Sequence, residues 1–344
     1  MEDATRRTTR KSFMHETTLV SRSAQGLRCE VCQWRCLLAD GEWGRCGVRQ
    51  RQDQTITVHN HGLVSAATIG PVEDYGFRHF FPGASVFAIG GWGTSFPAHH
   101  DAAYHAQIPT DPAKQRSIDP ERVVGFSQER MTRGIVWAYN EPTMNFEHVL
   151  ETARLARSTS RMTGMVTNGY WSKAALDQLA PYIDGLMLTV YGLSDASYQA
   201  LTGVEQWQGI FAGAEHAVKR WGCHLEITTP IVTGVNDSSA EIEGIARWIK
   251  RKFNGLIPWR IIPSRDADTN AATSVRKVAQ GLGLPFVYGA QPTETTRCPK
   301  CEWAVIERFD GQPRVVGVND SQCENCGSEV YIRSSLFKRN KLND

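Results

Sequence analysis

The sequence predicts an α/β protein built from parallel βαβ units, and three observations carry that expectation. From Ser85 to Val287, short apolar runs of strand length alternate with longer stretches whose apolar residues recur at helical spacing. Strands alternating with helices of that length imply parallel neighbours joined by crossovers. Eight of the nine cysteines fall outside this region, at Cys29, Cys32, Cys36 and Cys46 and at Cys298, Cys301, Cys323 and Cys326, while Cys223 stands alone. Two tight groups of four in a chain without export features point to thiolate metal ligation rather than disulfides. Periodicity alone leaves open whether the units form an open doubly wound sheet or a partial barrel.

The elements follow in order. Residues 1–24 are expected to be a disordered lead-in, and 25–80 an amino-terminal four-cysteine module with strand-like runs at Thr55–Val58 and Leu63–Ile69. Residues 81–290 form the α/β body, and 291–344 a carboxy-terminal cysteine module and tail. Strands are expected at Val86–Ile89, Gly134–Tyr139, Thr163–Thr167, Gly185–Val190, His224–Ile231, Trp259–Pro263 and Pro285–Tyr288. Helices are expected at Asn145–Thr159, Lys173–Pro181, Ser194–Leu201, Trp207–Trp221, Ser239–Asn254 and Thr269–Leu282. Asn145 and Ser239 read as N-caps, with Glu147 and Glu241 placed to favour the helix dipole. Asn168-Gly169 and Gly234-Val235-Asn236-Asp237 mark turns at strand ends.

Charge and hydropathy narrow the partners. The 344 residues carry 38 basic against 36 acidic side chains, a net charge of +2, which makes no electrostatic case for nucleic acid or a membrane surface. No apolar run approaches the roughly 20 residues that span a bilayer. The first residues lack the apolar core of a signal peptide. A cytoplasmic protein with a small-molecule ligand is expected, and a protein partner stays open.

The carboxy-terminal group, Cys298-Pro299-Lys300-Cys301 and then Cys323-Glu324-Asn325-Cys326-Gly327, has the spacing of a zinc ribbon. Each C-x2-C knuckle offers two thiolates to one tetrahedral ion, and so short a segment folds only with its metal. The amino-terminal group, C-x2-C-x3-C-x9-C, offers four thiolates to zinc or to an iron–sulfur cluster, and the spacing does not choose. The segment Pro97–His105 is rich in histidine. His99, His100, Asp101 and His105 could form a mononuclear N/O site for zinc or iron(II), or a polar loop that fills space.

The run Phe81-Pro82-Gly83-Ala84-Ser85-Val86-Phe87-Ala88-Ile89-Gly90-Gly91-Trp92-Gly93 resembles the first strand and cluster loop of radical SAM enzymes, in particular the AmmeMemoRadiSam group related to pyruvate formate-lyase activating enzymes. Cys29 to Cys46, followed by Gly47-Val48-Arg49, is similar to the amino-terminal segment of that group. The resemblance implies a partial (β/α)6 TIM-like barrel with its site at the carboxyl ends of the strands. It also implies that Asn140-Glu141-Pro142 and Thr167-Asn168 contact S-adenosylmethionine, where Glu141 could pair with the ammonium group or simply balance the following helix dipole. Thr228-Thr229-Pro230-Ile231-Val232 matches a later strand end. The family's C-x3-C-x2-C motif, which holds a [4Fe-4S] cluster, is replaced here by Thr94, Ala98 and Asp101, so no such cluster is expected in the barrel. Thr189 and Tyr191 stand where the family usually has an acidic residue and a lysine. Arg260-Ile261-Ile262-Pro263-Ser264-Arg265 stands where it has a polar Arg/His segment. Three functions are compatible: a cluster-less protein of this fold that binds S-adenosylmethionine or a related molecule, a radical enzyme with its cluster on the amino-terminal cysteines, or a zinc-module scaffold.

Overall fold

Eight strands make the central sheet of the computed structural model, which describes residues 15–97, 105–264, 269–291, 293–309 and 312–336. They are β1 (Ala66–Pro71), β2 (Ser85–Gly90), β3 (Gly134–Trp137), β4 (Met162–Thr167), β5 (Gly185–Thr189), β6 (His224–Ile231), β7 (Trp259–Pro263) and β8 (Val287–Tyr288). Their order in space is their order in the chain. β2 to β8 run parallel, and β1 folds back antiparallel on β2 with Ala66 opposite Gly90.

That order decides between the two architectures left open by the sequence. A doubly wound sheet reverses its strand order at a switch point, which splits the helices between both faces. Here there is no reversal, so right-handed crossovers place every connecting helix on one face, and the sheet curls around the other as a partial barrel. The helices are α1 (Pro120–Glu129), α2 (Phe146–Ser158), α3 (Lys173–Leu179), α4 (Asp195–Thr202), α5 (Gln208–Trp221), α6 (Ser239–Phe253) and α7 (Thr269–Gly281). Side chains of alternate strand residues divide accordingly. Phe87, Ile135, Met165, Leu186, Leu225 and Ile261 pack in one cluster with helix residues such as Val149, Ala214 and Ile249. Val86, Val136, Ala138, Met162 and Met187 pack in a second cluster with Val72, Phe77, Phe80 and Phe81.

The second cluster shows what fills the concave face. The link from β1 to β2 runs through it, and the Phe80 ring lies flat against two glycines. A Cβ at Gly185 would come within 2.6 Å of that ring, and one at Gly164 within 3.3 Å. Gly185→Ala is therefore expected to destabilise the chain by about 1–3 kcal/mol through overpacking. Urea unfolding of the single variant and of a Gly185→Ala/Phe80→Leu pair checks this, since the smaller ring should recover part of the loss.

Several elements depart from the sequence reading. α1 was not foreseen, because its polar residues and low apolar content give a weak stripe. The expected strand Leu63–Ile69 is two strands: Leu63–Val64 pairs with Arg116–Ser117, and β1 joins the barrel sheet. Part of the expected lead-in is ordered, with His15–Glu16 paired to Thr57–Val58 and Val20–Ser23 to Gly26–Cys29; residues 1–14 lie outside the described residues. Ser238, not Ser239, caps α6 by accepting from the Glu241 N–H, while Asn145 precedes α2 without a side-chain cap bond.

Both cysteine segments dock on the barrel. The amino-terminal one lies at the carboxyl ends of the strands, where Trp34 Nε1 donates to Ser95 O (2.7 Å), Gln33 N to Tyr170 O (3.0 Å) and Ser172 N to Val31 O (3.0 Å). A buried ion pair, Arg49 Nη2 to Glu147 Oε2 at 2.7 Å, pins it to α2. The carboxy-terminal one closes the opposite end. Tyr331 Oη accepts from Leu225 N (2.9 Å), and Arg333 pairs with Asp184 (2.7 Å), both groups buried.

Candidate functional site at the barrel mouth

The carboxyl ends of β2, β3 and β4 are tied together by side chains. Glu141 is buried and accepts from Thr143 N (3.1 Å), Thr143 Oγ1 (2.6 Å), Thr167 Oγ1 (3.0 Å to Oε2) and Asn168 N (2.8 Å). Burial pushes its pKa up, against the pull of these donors. Asn140 Oδ1 accepts from Gly91 N (2.8 Å), and Asn168 Nδ2 donates to Ser95 Oγ (2.8 Å). The four residues expected to contact a cofactor, Asn140, Glu141, Thr167 and Asn168, thus converge at one place, where they brace the loop that follows β2. Glu141 also caps the short 3-10 turn Pro142–Asn145 that leads into α2, which is the dipole role open to it in the sequence.

That loop carries no thiolate. No cysteine lies between Cys46 and Cys223. Thr94 is turned onto its own loop, accepting from Phe96 N (3.1 Å). Phe96 is buried, edge-on to Tyr170 and Tyr191. Ala98, His99, His100 and Asp101 lie outside the described residues. His105 sits near Trp92 and Tyr139, with ring centroids 6.1 and 6.2 Å away.

Below the loop, the concave face has a polar level that the sequence reading did not assemble into a site. Thr189, Thr228 and Arg260 are paired in register across β5, β6 and β7. Thr228 Oγ1 and Arg260 Nε are buried and have no hydrogen-bond partner among the described residues. Burial and the nearby Arg78 bring Arg260 down to about 10, so the guanidinium stays charged at neutral pH. On the facing side Tyr75 Oη lies 3.2 Å from Tyr139 Oη. Tyr139 adopts φ 72°, a left-handed conformation unusual for an aromatic residue. Gly90 makes room for it, since a Cβ there would meet Tyr139 Cβ at 2.8 Å. The legible signal was polar residues at inward positions of otherwise apolar strands. By contrast Trp137, Tyr170 and Tyr191 are packed core.

The two cysteine groups differ in geometry. Cys298 Sγ lies 3.7 Å from Cys326 Sγ, and Cys301 Sγ 3.6 Å from Cys323 Sγ, with all four within 4.8 Å of one another. Tetrahedral thiolates at about 2.3 Å from one ion sit at such separations. Matching turns shape the knuckles, Glu302 N donating to Cys298 O and Gly327 N to Cys323 O. Cys29, Cys32, Cys36 and Cys46 are near enough to influence each other's ionisation, and burial pushes Cys29 up to about 11. Among the described residues they do not form a group of three or more donors within 4.8 Å.

No protein-family model matches the chain. It is 25% identical over 322 residues to the uncharacterized protein MJ0808 of Methanocaldococcus jannaschii, covering 89% of this chain and 95% of that one. It is 28% identical over 138 residues to the (2S)-3-sulfopropanediol sulfolyase activating enzyme of Bilophila wadsworthia, covering 38% of this chain and 43% of that one. Among solved structures it is similar to a radical SAM methyltransferase from Sphaerobacter thermophilus, with a TM-score of 0.46 and 17% identity over 68% of this chain and 72% of that one. Its structural neighbours are radical SAM proteins. No helix among the described residues is long and apolar enough to cross a membrane.

Proposed function

We propose that the chain is a divergent radical-SAM-fold protein that binds S-adenosylmethionine or a related small molecule in the mouth of its partial barrel, without radical chemistry there. One observation carries this reading. On the concave face below the mouth, Arg260 Nε and Thr228 Oγ1 are buried without a hydrogen-bond partner among the described residues, and the two residues stand opposite each other in register. A carboxylate-bearing ligand satisfies both groups, and charge-assisted bonds of this kind are the strong ones. The resemblance of Asn140-Glu141-Pro142 and Thr167-Asn168 to radical SAM strand ends makes S-adenosylmethionine the first ligand to try. The tetrad Cys298/Cys301/Cys323/Cys326 is read as a structural zinc site, and the amino-terminal cysteines as a second one.

The test is metal and sulfide content of anaerobically purified, chelator-dialysed protein, together with equilibrium dialysis of S-adenosylmethionine. About two zinc and no sulfide per chain are expected for two four-thiolate sites, with ligand bound. Arg260→Gln should weaken that binding about tenfold or more, the loss of a bond to a charged group, while leaving the melting temperature in place. Two zinc without ligand binding would favour the scaffold reading instead.

A second reading has its own support. The docking of Gln33 and Trp34 onto Tyr170 and Ser95 keeps the amino-terminal cysteine segment beside the carboxyl ends of the strands. About four iron with matching sulfide, as a cubane cluster requires, would establish a cluster on those cysteines and overturn the first reading.

A further inference from the structure

We infer that His15, His61 and Glu151 form a site for one divalent transition-metal ion, separate from both cysteine groups and from the barrel mouth. The three come from different elements: the short strand His15–Glu16, the turn after the strand Thr55–Val58, and helix α2. Their donor atoms lie within 4.8 Å of one another. His61 Nε2 is 3.2 Å from Glu151 Oε2, and the His15 and His61 rings are stacked with centroids 3.3 Å apart and planes 6° from parallel. Nitrogen and oxygen ligands at about 2.0–2.2 Å from a zinc-like ion stand a little over 3 Å from each other. The His61–Glu151 pair is already at that separation, and His15 closes the set by rotating its side chain.

The surrounding structure holds the ligands in place. The His61 turn is fixed by Asn60, whose Nδ2 donates to Trp92 O (2.8 Å) and Met144 O (3.1 Å). His148 stands edge-on to His61 at 5.3 Å and is itself turned away, its Nε2 2.8 Å from Ile118 O. Glu151 lies one helical turn beyond Glu147, which the buried Arg49 anchors.

Two imidazoles and one carboxylate suit zinc and its late first-row neighbours and do not suit magnesium or calcium, which require oxygen donors. Glu151 is exposed, its side chain 47% accessible, so water completes the coordination. The ion would tie the strand His15–Glu16 to α2. This site does not depend on what the barrel binds.

Full-length protein, dialysed against a chelator too weak to strip thiolate sites, is titrated with zinc, and separately with cobalt(II). Wild type should take up one further zinc per chain, with a rise in melting temperature, and cobalt should give the weak visible bands of an N/O site without thiolate charge transfer. Glu151→Gln, on the exposed side where folding is not at stake, and His15→Ala should each weaken that uptake about tenfold or more, while His216→Ala leaves it unchanged. Absence of the additional zinc in wild type, or uptake in both Glu151→Gln and His15→Ala equal to wild type, would overturn the site.

Discussion

Glu226→Ala is expected to cost about 3–5 kcal/mol, a large part of the 5–15 kcal/mol that holds a domain together. The Glu226 carboxylate rises from β6 into the barrel and accepts from three consecutive backbone amides, Arg78 N (2.7 Å), His79 N (2.8 Å) and Phe80 N (2.9 Å). His224 Nε2 lies 3.0 Å away as a further donor. These contacts fix the segment that packs Phe77 and Phe80 against the inner sheet. Truncation removes the acceptor and leaves the amides buried, and each orphaned group costs about 1–3 kcal/mol. Glu226→Gln keeps one acceptor oxygen but sets an NH2 against an N–H, so it should fall between alanine and wild type. Urea unfolding ranks the three; equal stability of all of them would refute the role.

Acid should produce the same failure in the wild type. Burial opposes the charge of Glu226, yet His224 and the amide donors hold its pKa below the usual carboxylate value. Stability from a depressed carboxylate is present above its unfolded pKa and is lost as pH falls through the folded one. His79 adds to the trend earlier. It is buried between Tyr331 O and Tyr288 Oη, both at 2.6 Å, and burial brings it down to about 3. Its unfolded form takes a proton near pH 6.5 while the folded form stays neutral, so stability declines progressively below that pH. Unfolding free energy should fall steadily as pH drops from 7, and below the usual carboxylate pKa, where the folded Glu226 stays ionised, the fall should be shallower in Glu226→Gln.

How much of this was legible in the sequence depends on whether the cause was local. Strands β2 to β7 and helices α2 to α7 carry their own periodicity and turn chemistry, and each was found within a few residues. The carboxy-terminal tetrad was legible because C-x2-C spacing determines the knuckle, whatever the rest of the chain does. The filled concave face was not. Glu226 reads as one acid in an apolar strand, and only strand register brings it to amides 146–148 positions away. Arg260 was noted in a departure from a family pattern and Thr228 in a match to one; their adjacency is again a product of register. For Glu141 the residues and their convergence were foreseen, while the set of donors that occupies its carboxylate depends on three strand ends meeting.

Removing the metal from Cys298, Cys301, Cys323 and Cys326 is expected to destabilise the whole barrel. The ribbon has little apolar core of its own and depends on ligation to fold. The segment that follows Cys326 leads directly to the contacts that close the barrel floor. Tyr331 O receives His79, Tyr331 Oη receives the Leu225 amide, and Arg333 meets Asp184 while its Nη1 donates to the carbonyls of Asp184 (2.9 Å) and Gly222 (3.2 Å). If the ribbon melts, Arg333 leaves and Asp184 is stranded at 2% exposure. Breaking a buried pair in that way costs about 3–5 kcal/mol. Cys301→Ser, or a chelator strong enough to strip the tetrad, should therefore lower the melting temperature of the α/β body and speed hydrogen exchange at Leu225 and Phe80, far from the sulfurs in sequence. If exchange increased only between Thr296 and Val330, with the barrel unchanged, the floor contacts would be passengers and the ribbon an independent appendage.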